Sequence, residues 1–450
     1  MTHRDADSSG RAAGAYQHRK VLGRWDSVAI VIGIVIGVGI FRVPAEVARY
    51  LQSPLAILGV WAAGGVISLL GAVCYAELAA AFPRTGGDYV FLKESYGKMT
   101  GFLFGWTQML VICAGSIAAV AYIFAEYLQS FFGFDSALVR PFAVFVVALL
   151  TIVNLAGLHY GRRVQNFFTL SKVAALLVII AAGLLVRQGS VANLTAAAPP
   201  AVLGPWTAFG LALIPVLFTY GGWHENTYVG GETKDAAKSL PFALITGVVI
   251  ITILYMLVNF FYLYVMPPSD MACSELIASE VLFKLFGLQG RKVLEALVIV
   301  SSLGSINAMI ITGSRVTYAL SSENRLFRYL GEIDPATGAP KRAVIANGTW
   351  TMLLIIFGTF HQLVFFTGIL MWLFLALVIS GIFILRRKHP HMERPFRLMG
   401  YPYVPAVFVL VCLVIFLNTL LHDPYPSLTG LGLFLSGIPI YFLSERFGTS

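Results

Sequence analysis

Between residues 28 and 443 the chain repeatedly runs apolar for most of the length of a membrane helix, with only short polar connections between. The runs fall at about 28–51, 55–81, 101–130, 141–158, 173–187, 205–229, 240–266, 293–320, 343–359, 363–385, 403–421 and 428–443. A helix needs about 20 apolar residues to cross a bilayer, and most runs meet that length. In hydrocarbon, backbone polar groups must be satisfied within the segment, so these runs are expected as helices. The composition agrees: 58% of the residues are hydrophobic, 12% are charged and the mean hydropathy is +0.80. The expectation is an all-α polytopic membrane protein with twelve transmembrane helices. A tail at 1–24 and a tail at 446–450 would flank a single transmembrane domain at 25–445.

The formal charge of +9 does not call for nucleic acid, because the basic residues follow topology. Arg19, Lys20 and Arg24, then Arg84 and Lys93, Arg162 and Arg163, Lys234 and Lys238, and Arg386 to Arg397 lie in alternate connections. By the positive-inside rule those connections and both termini face the cytoplasm. The polar N-terminus does not read as a cleavable signal peptide. Cys74, Cys113, Cys273 and Cys412 are widely spaced and read as small buried hydrophobes. The histidines show no ligand spacing, so no metal, cofactor or enzymatic centre is expected.

Glycine costs roughly 1 kcal/mol against alanine in a helix. The first segment nevertheless reads "GIVIGVGIF", with Gly33, Gly37 and Gly39. The sixth reads "ALIPVLFTYGGWHENTYVGGE", with Pro215, Gly221 and Gly222. Two interrupted segments, five helices apart, are what an inverted repeat of five plus five helices produces: 25–190, then 203–388, with two further helices at 401–445. Such paired interruptions mark a transporter's binding site. Opening a helix frees N–H groups on one side and carbonyls on the other, and a zwitterion satisfies both. No carboxylate lies in the two breaks, so polyamines are set aside. Glu46 and Glu225 are candidates for the border of the outer path.

"IGVGIF" is similar to the first-helix signature of the amino acid–polyamine–organocation superfamily. "YAELAAAFPRTGGDYVFLKESYG" (75–97) resembles its loop between the second and third helices. "FTYGGWHENTYVGGETKDAAKSLPFAL" (218–244) is similar to the sixth helix of its L-type amino-acid transporter branch. "GSINAMIITGSRVTYALSSENRLF" and "RRKHPHMERPFRL" extend the resemblance, which covers residues 20 to 445. It implies a leucine-transporter-type fold working by alternating access. The substrate carboxylate would lie on the backbone around Gly37, Val38 and Gly39. The ammonium would lie on carbonyls near Val35 and in the Phe218–Thr219–Gly221 break, with Phe218 gating the outer side. Trp223 and His224 are possible modulators. The chain departs from the pattern at Val38, usually serine, at His224, usually asparagine, and at Met371, where a polar residue is expected.

Lys172 lies in the fifth segment, and an ionisable residue there is a functional candidate. In the L-type branch a lysine of the fifth helix resembles a tethered replacement for a sodium ion. Its expected partners are the Gly33 carbonyl, Ser302 and Ser305, with Ser301 on a neighbouring face. The resemblance therefore implies a sodium-independent exchanger of small to medium neutral L-amino acids. The alternative is a proton-coupled symporter using Lys172. Glu77 is expected to pair with Arg315, and Glu295 with Arg291 and Lys292. Eukaryotic members bind a heavy chain through a cysteine after the third helix, and "LQSFFGFDSALVR" has none. No disulfide-linked partner is expected, but a monomer in a bacterial inner membrane.

Overall fold

The computed structural model describes residue 20 and residues 22–84, 86–155, 161–185, 189–195, 204–323, 327–332, 334, 340–422 and 424–446. The expected tails lie for the most part outside them. The described residues are almost wholly helical; the one β-bridge joins Leu22 to Thr233. The first segment is split. Helix α1 (Arg24–Val35) stops at Ile36, a short 3₁₀ turn covers Gly39–Phe41, and α2 (Val43–Tyr50) begins with Pro44 in its first turn. Helices α3 (Pro54–Ala81) and α4 (Asp88–Tyr96) follow. The third span is α5 (Lys98–Thr107), a π turn at Gln108–Ile112 and α6 (Cys113–Phe132). Next come α7 (Val139–Leu155), α8 (Gly161–Leu185) and the single turn α9 (Val191–Leu194).

The sixth segment is split as well. Helix α10 (Pro205–Tyr220) ends at the glycine pair, and 3₁₀ turns continue over Trp223–Glu232. Gly222 sits at φ 96°, a left-handed conformation that glycine adopts at no steric cost. The rest is α11 (Ala236–Val265), α12 (Pro268–Cys273), α13 (Ile277–Glu323), α14 (Lys341–Phe357), α15 (Phe360–Lys388), α16 (Tyr403–His422) and α17 (Pro424–Arg446). Within α13 the chain kinks at Gly287.

Nine helices among the described residues are long and apolar enough to cross a membrane. The other three expected spans fall short for local reasons. The first is divided by its break, the described apolar part of the fifth is Leu170–Ala181, and α14 has 17 residues. Large apolar side chains face outward on α3, α7, α16 and α17, among them Leu55, Ile152, Leu410 and Leu428. Lipid tails as solvent account for that exposure, and the chain is a multi-pass membrane protein.

Inside, α3 packs along α11, α13 along α6 and α8, and α15 against α16. One pairing fixes the centre. Helix α1 lies against the 3₁₀ turns Trp223–Glu232, whereas α2 lies against α10. The first and sixth segments therefore run in opposite directions and meet at their breaks.

Candidate functional site

The first break leaves main-chain groups open. Among the described residues, the N–H groups of Val38, Gly39 and Ile40 find no carbonyl partner, because bonding resumes only with Phe41 N–H to Val38 O at 3.1 Å. Three consecutive free amides at the start of a half-helix form a cradle for an anion. The carbonyls of Ile34 and Ile36 likewise take no donor. The Val35 carbonyl, in contrast, accepts from Gly37 N–H at 2.6 Å and from the Tyr255 hydroxyl at 2.9 Å. Both of its lone pairs are engaged, so it is a poorer seat for an ammonium than its neighbours.

The two breaks touch. A Cβ on Gly39 would lie 3.0 Å from Thr219 Oγ1, so a larger residue would force the two segments or the Thr219 side chain to give by a few tenths of an ångström. Thr219 donates its hydroxyl to Pro215 O at 2.9 Å. Gly221 N–H donates to Phe218 O at 3.0 Å, and Gly221 faces the Met371 thioether on α15. The Phe218 ring is half-buried beside the break.

Tyr255 of α11 joins the breaks, since its hydroxyl also lies 3.3 Å from Thr219 O. It is fully buried and packs edge-on against Trp61 and Tyr220. Sequence reading passed over it. A tyrosine in an apolar run carries no spacing signal, although its need for a hydrogen-bond partner when buried is one.

Lys172 is 2% exposed, and its ammonium donates to Gly33 O at 3.1 Å. The structure brings α8 and α13 together but does not join Lys172 to the serines by a hydrogen bond among the described residues. Ser302 turns its hydroxyl to Val298 O at 2.7 Å, and Ser305 turns its own to Ser301 O at 3.3 Å. Hydroxyls in helices commonly bond back one turn in this way. Ser301 Oγ is the one left buried without a partner.

Several ionisable groups stand elsewhere than expected. Glu225 follows the second break while Glu46 follows the first, so antiparallel packing places them on opposite sides. Glu46 alone is grouped with α2: Arg42 lies 3.7 Å from it and holds Glu126 of α6 through two hydrogen bonds of 2.7 and 3.1 Å. The Phe360 ring covers the Arg42 guanidinium at 3.7 Å, and His361 approaches Glu46 at 3.4 Å. These contacts tie α2, α6 and α15 together on that side.

On the other side Glu77 accepts from Arg386 at 2.9 and 2.6 Å and from Leu398 N–H at 2.8 Å. The side chain of Arg315, its expected partner, lies outside the described residues. Glu295 does pair with Arg291, at 2.9 Å, whereas Lys292 turns to Phe131 O. Cys273 is exposed, unlike the other three cysteines, because it ends a short helix rather than lying within a span.

His224 is buried, with its Nε2 3.6 Å from the carboxylate of Asp88 in α4. Tyr228 donates to the same carboxylate at 3.2 Å. Burial pushes the Asp88 carboxyl up to about 7, and the nearby Glu225 adds to the rise. Trp223, directly after the Gly221–Gly222 break, is buried edge-on against Tyr75.

Residues 22–443 match a family model described as amino acid permease. The chain is 31% identical over 441 residues to the b(0,+)-type amino acid transporter 1 of Rattus norvegicus, covering 94% of this chain and 88% of the relative. It is 30% identical over 452 residues to the large neutral amino acids transporter small subunit 2 of Homo sapiens, covering 97% and 82%. It is 28% identical over 427 residues to the serine/threonine exchanger SteT of Bacillus subtilis (strain 168), covering 94% and 96%.

Proposed function

The chain belongs to the amino acid permease family, and from that premise we propose that it is a sodium-independent exchanger of small to medium neutral L-amino acids. The observation that carries this reading is the meeting of two opened helices with free amides at Val38, Gly39 and Ile40. In this reading the carboxylate of the substrate sits on those amides. The ammonium meets the free carbonyls of Ile34 and Ile36, which take the place first assigned to Val35. Phe218 and Thr219 bound the side chain, with Gly37 and Gly221 giving the backbone room.

Antiparallel pairing of the split segments supports two inverted repeats of five helices, followed by two more, with cytoplasmic termini. The clasp around Arg42 would close the outer side and the Glu77 cluster the inner one. Lys172 supplies a fixed positive charge at Gly33, where a sodium ion would otherwise be recruited. A cation that stays attached through the cycle cannot drive uptake by its own gradient. In this reading the carrier resets only when loaded, which makes it an exchanger. Substrate and bilayer are its partners, and the chain acts as a monomer in a bacterial inner membrane.

A second reading is proton coupling, favoured by one observation. Lys172 is buried, and among the described residues its one hydrogen-bond partner is the uncharged Gly33 carbonyl, with no carboxylate beside it to fix its charge. Uptake of labelled leucine into proteoliposomes separates the two. Exchange requires internal amino acid and ignores sodium and pH gradients. Uptake that ignores internal amino acid and follows a pH gradient would establish the second reading instead.

A further inference from the structure

One polar cluster remains outside the site described above. A small cavity opens where the π turn of the third span faces α13 and the 3₁₀ turns of the sixth segment. It is lined by Gln108, Cys113, Ser116, Glu225, Met309 and Thr312. The Glu225 carboxylate makes none of the hydrogen bonds or ion pairs found among the described residues, although it faces the cavity. It is also close to the break: a Cβ on Gly222 would lie 3.9 Å from Glu225 Oε1. A carboxylate in such a place must hold a proton or find a cation.

We propose that this cavity is a subsite for a positively charged substrate side chain, with Glu225 as its counter-ion. The inference rests on the transport reading above and extends the substrate class to cationic amino acids. A substrate whose main-chain ends occupy the breaks can direct its side chain past Gly222. Its ammonium or guanidinium then meets Glu225. The Gln108 side-chain carbonyl and the Ser116 and Thr312 hydroxyls offer further acceptors. Met309 and Cys113 line the apolar stem that precedes the charge. The π turn contributes by directing Gln108 inward, since such bulges often serve function.

The test uses the full chain in proteoliposomes, with labelled lysine and labelled leucine as probes, for wild type, Glu225→Gln and Glu225→Asp. Wild type is expected to take up both. In Glu225→Gln the ratio of lysine to leucine kcat/KM should fall by about tenfold or more, as for loss of a buried charge partner. Glu225→Asp, which keeps the charge, should restore most of that ratio. Stabilisation of detergent-purified protein against heat by each amino acid gives a second readout, independent of transport. Leucine uptake without lysine uptake in wild type would overturn the subsite and leave the transport reading standing. An unchanged ratio in Glu225→Gln, or pH-driven leucine uptake that this substitution abolishes, would overturn it too; the latter would make Glu225 a proton carrier. Uptake of neither probe by well-folded wild type would overturn both.

Discussion

At the scale of single residues, two buried polar groups hold the opened backbone in place. The Tyr255 hydroxyl donates to Val35 O at 2.9 Å and lies 3.3 Å from Thr219 O, one carbonyl from each break. Tyr255→Phe removes that donor and takes a hydrogen bond from the buried Val35 carbonyl, at a cost of about 1–3 kcal/mol. Thermal unfolding in detergent should report a lower midpoint, and leucine KM should rise several-fold, since both breaks lose a shared anchor. Lys172→Ala removes the positive charge at Gly33, and leucine uptake should fall by about tenfold or more, with membrane insertion retained, as expected for a lost charged hydrogen bond. Unchanged uptake would show that the lysine serves packing alone. The lysine was legible because charge in an apolar run is conspicuous. Tyr255 was not, because nothing in the local sequence separates a bridging tyrosine from a packing one.

At the scale of elements, the two splits were legible from glycine and proline placement. Their relative direction was not, since that depends on which half-helices pack together. Because of that packing, Glu46 and Glu225 lie on opposite sides of the breaks. Helix α4 adds a pH dependence. Its Asp88 carboxyl rises from 3.8 to about 7 on burial against the sixth segment. The folded protein thus binds a proton that the unfolded chain has released. The stability this confers is full below about 4 and is lost as pH rises through about 7. Between those limits the loss approaches at most about 1.4 kcal/mol per pH unit. Thermal unfolding across that range should show wild type falling relative to Asp88→Asn as pH rises. A constant difference would mean that Asp88 keeps its charge in the fold.

At the scale of the whole molecule, membrane residence and helical class were legible from hydropathy, because lipid admits few alternatives. Among the described residues nine helices are long enough to span, and the first span falls short because its break divides it and the ninth because α14 has 17 residues. The central claim is that bare amides on one opened helix and bare carbonyls beside them hold the two charged ends of an amino acid. Competition against labelled leucine uptake in proteoliposomes tests it most directly, with leucine, leucinamide, which lacks the carboxylate, and 4-methylpentanoate, which lacks the ammonium, as competitors. The account predicts that leucine competes strongly and that each truncated analogue is weaker by about a hundredfold, the scale of losing one charge-assisted contact set. Equal competition by leucine and either analogue would show that the opened backbone does not hold that end, and the account would be contradicted.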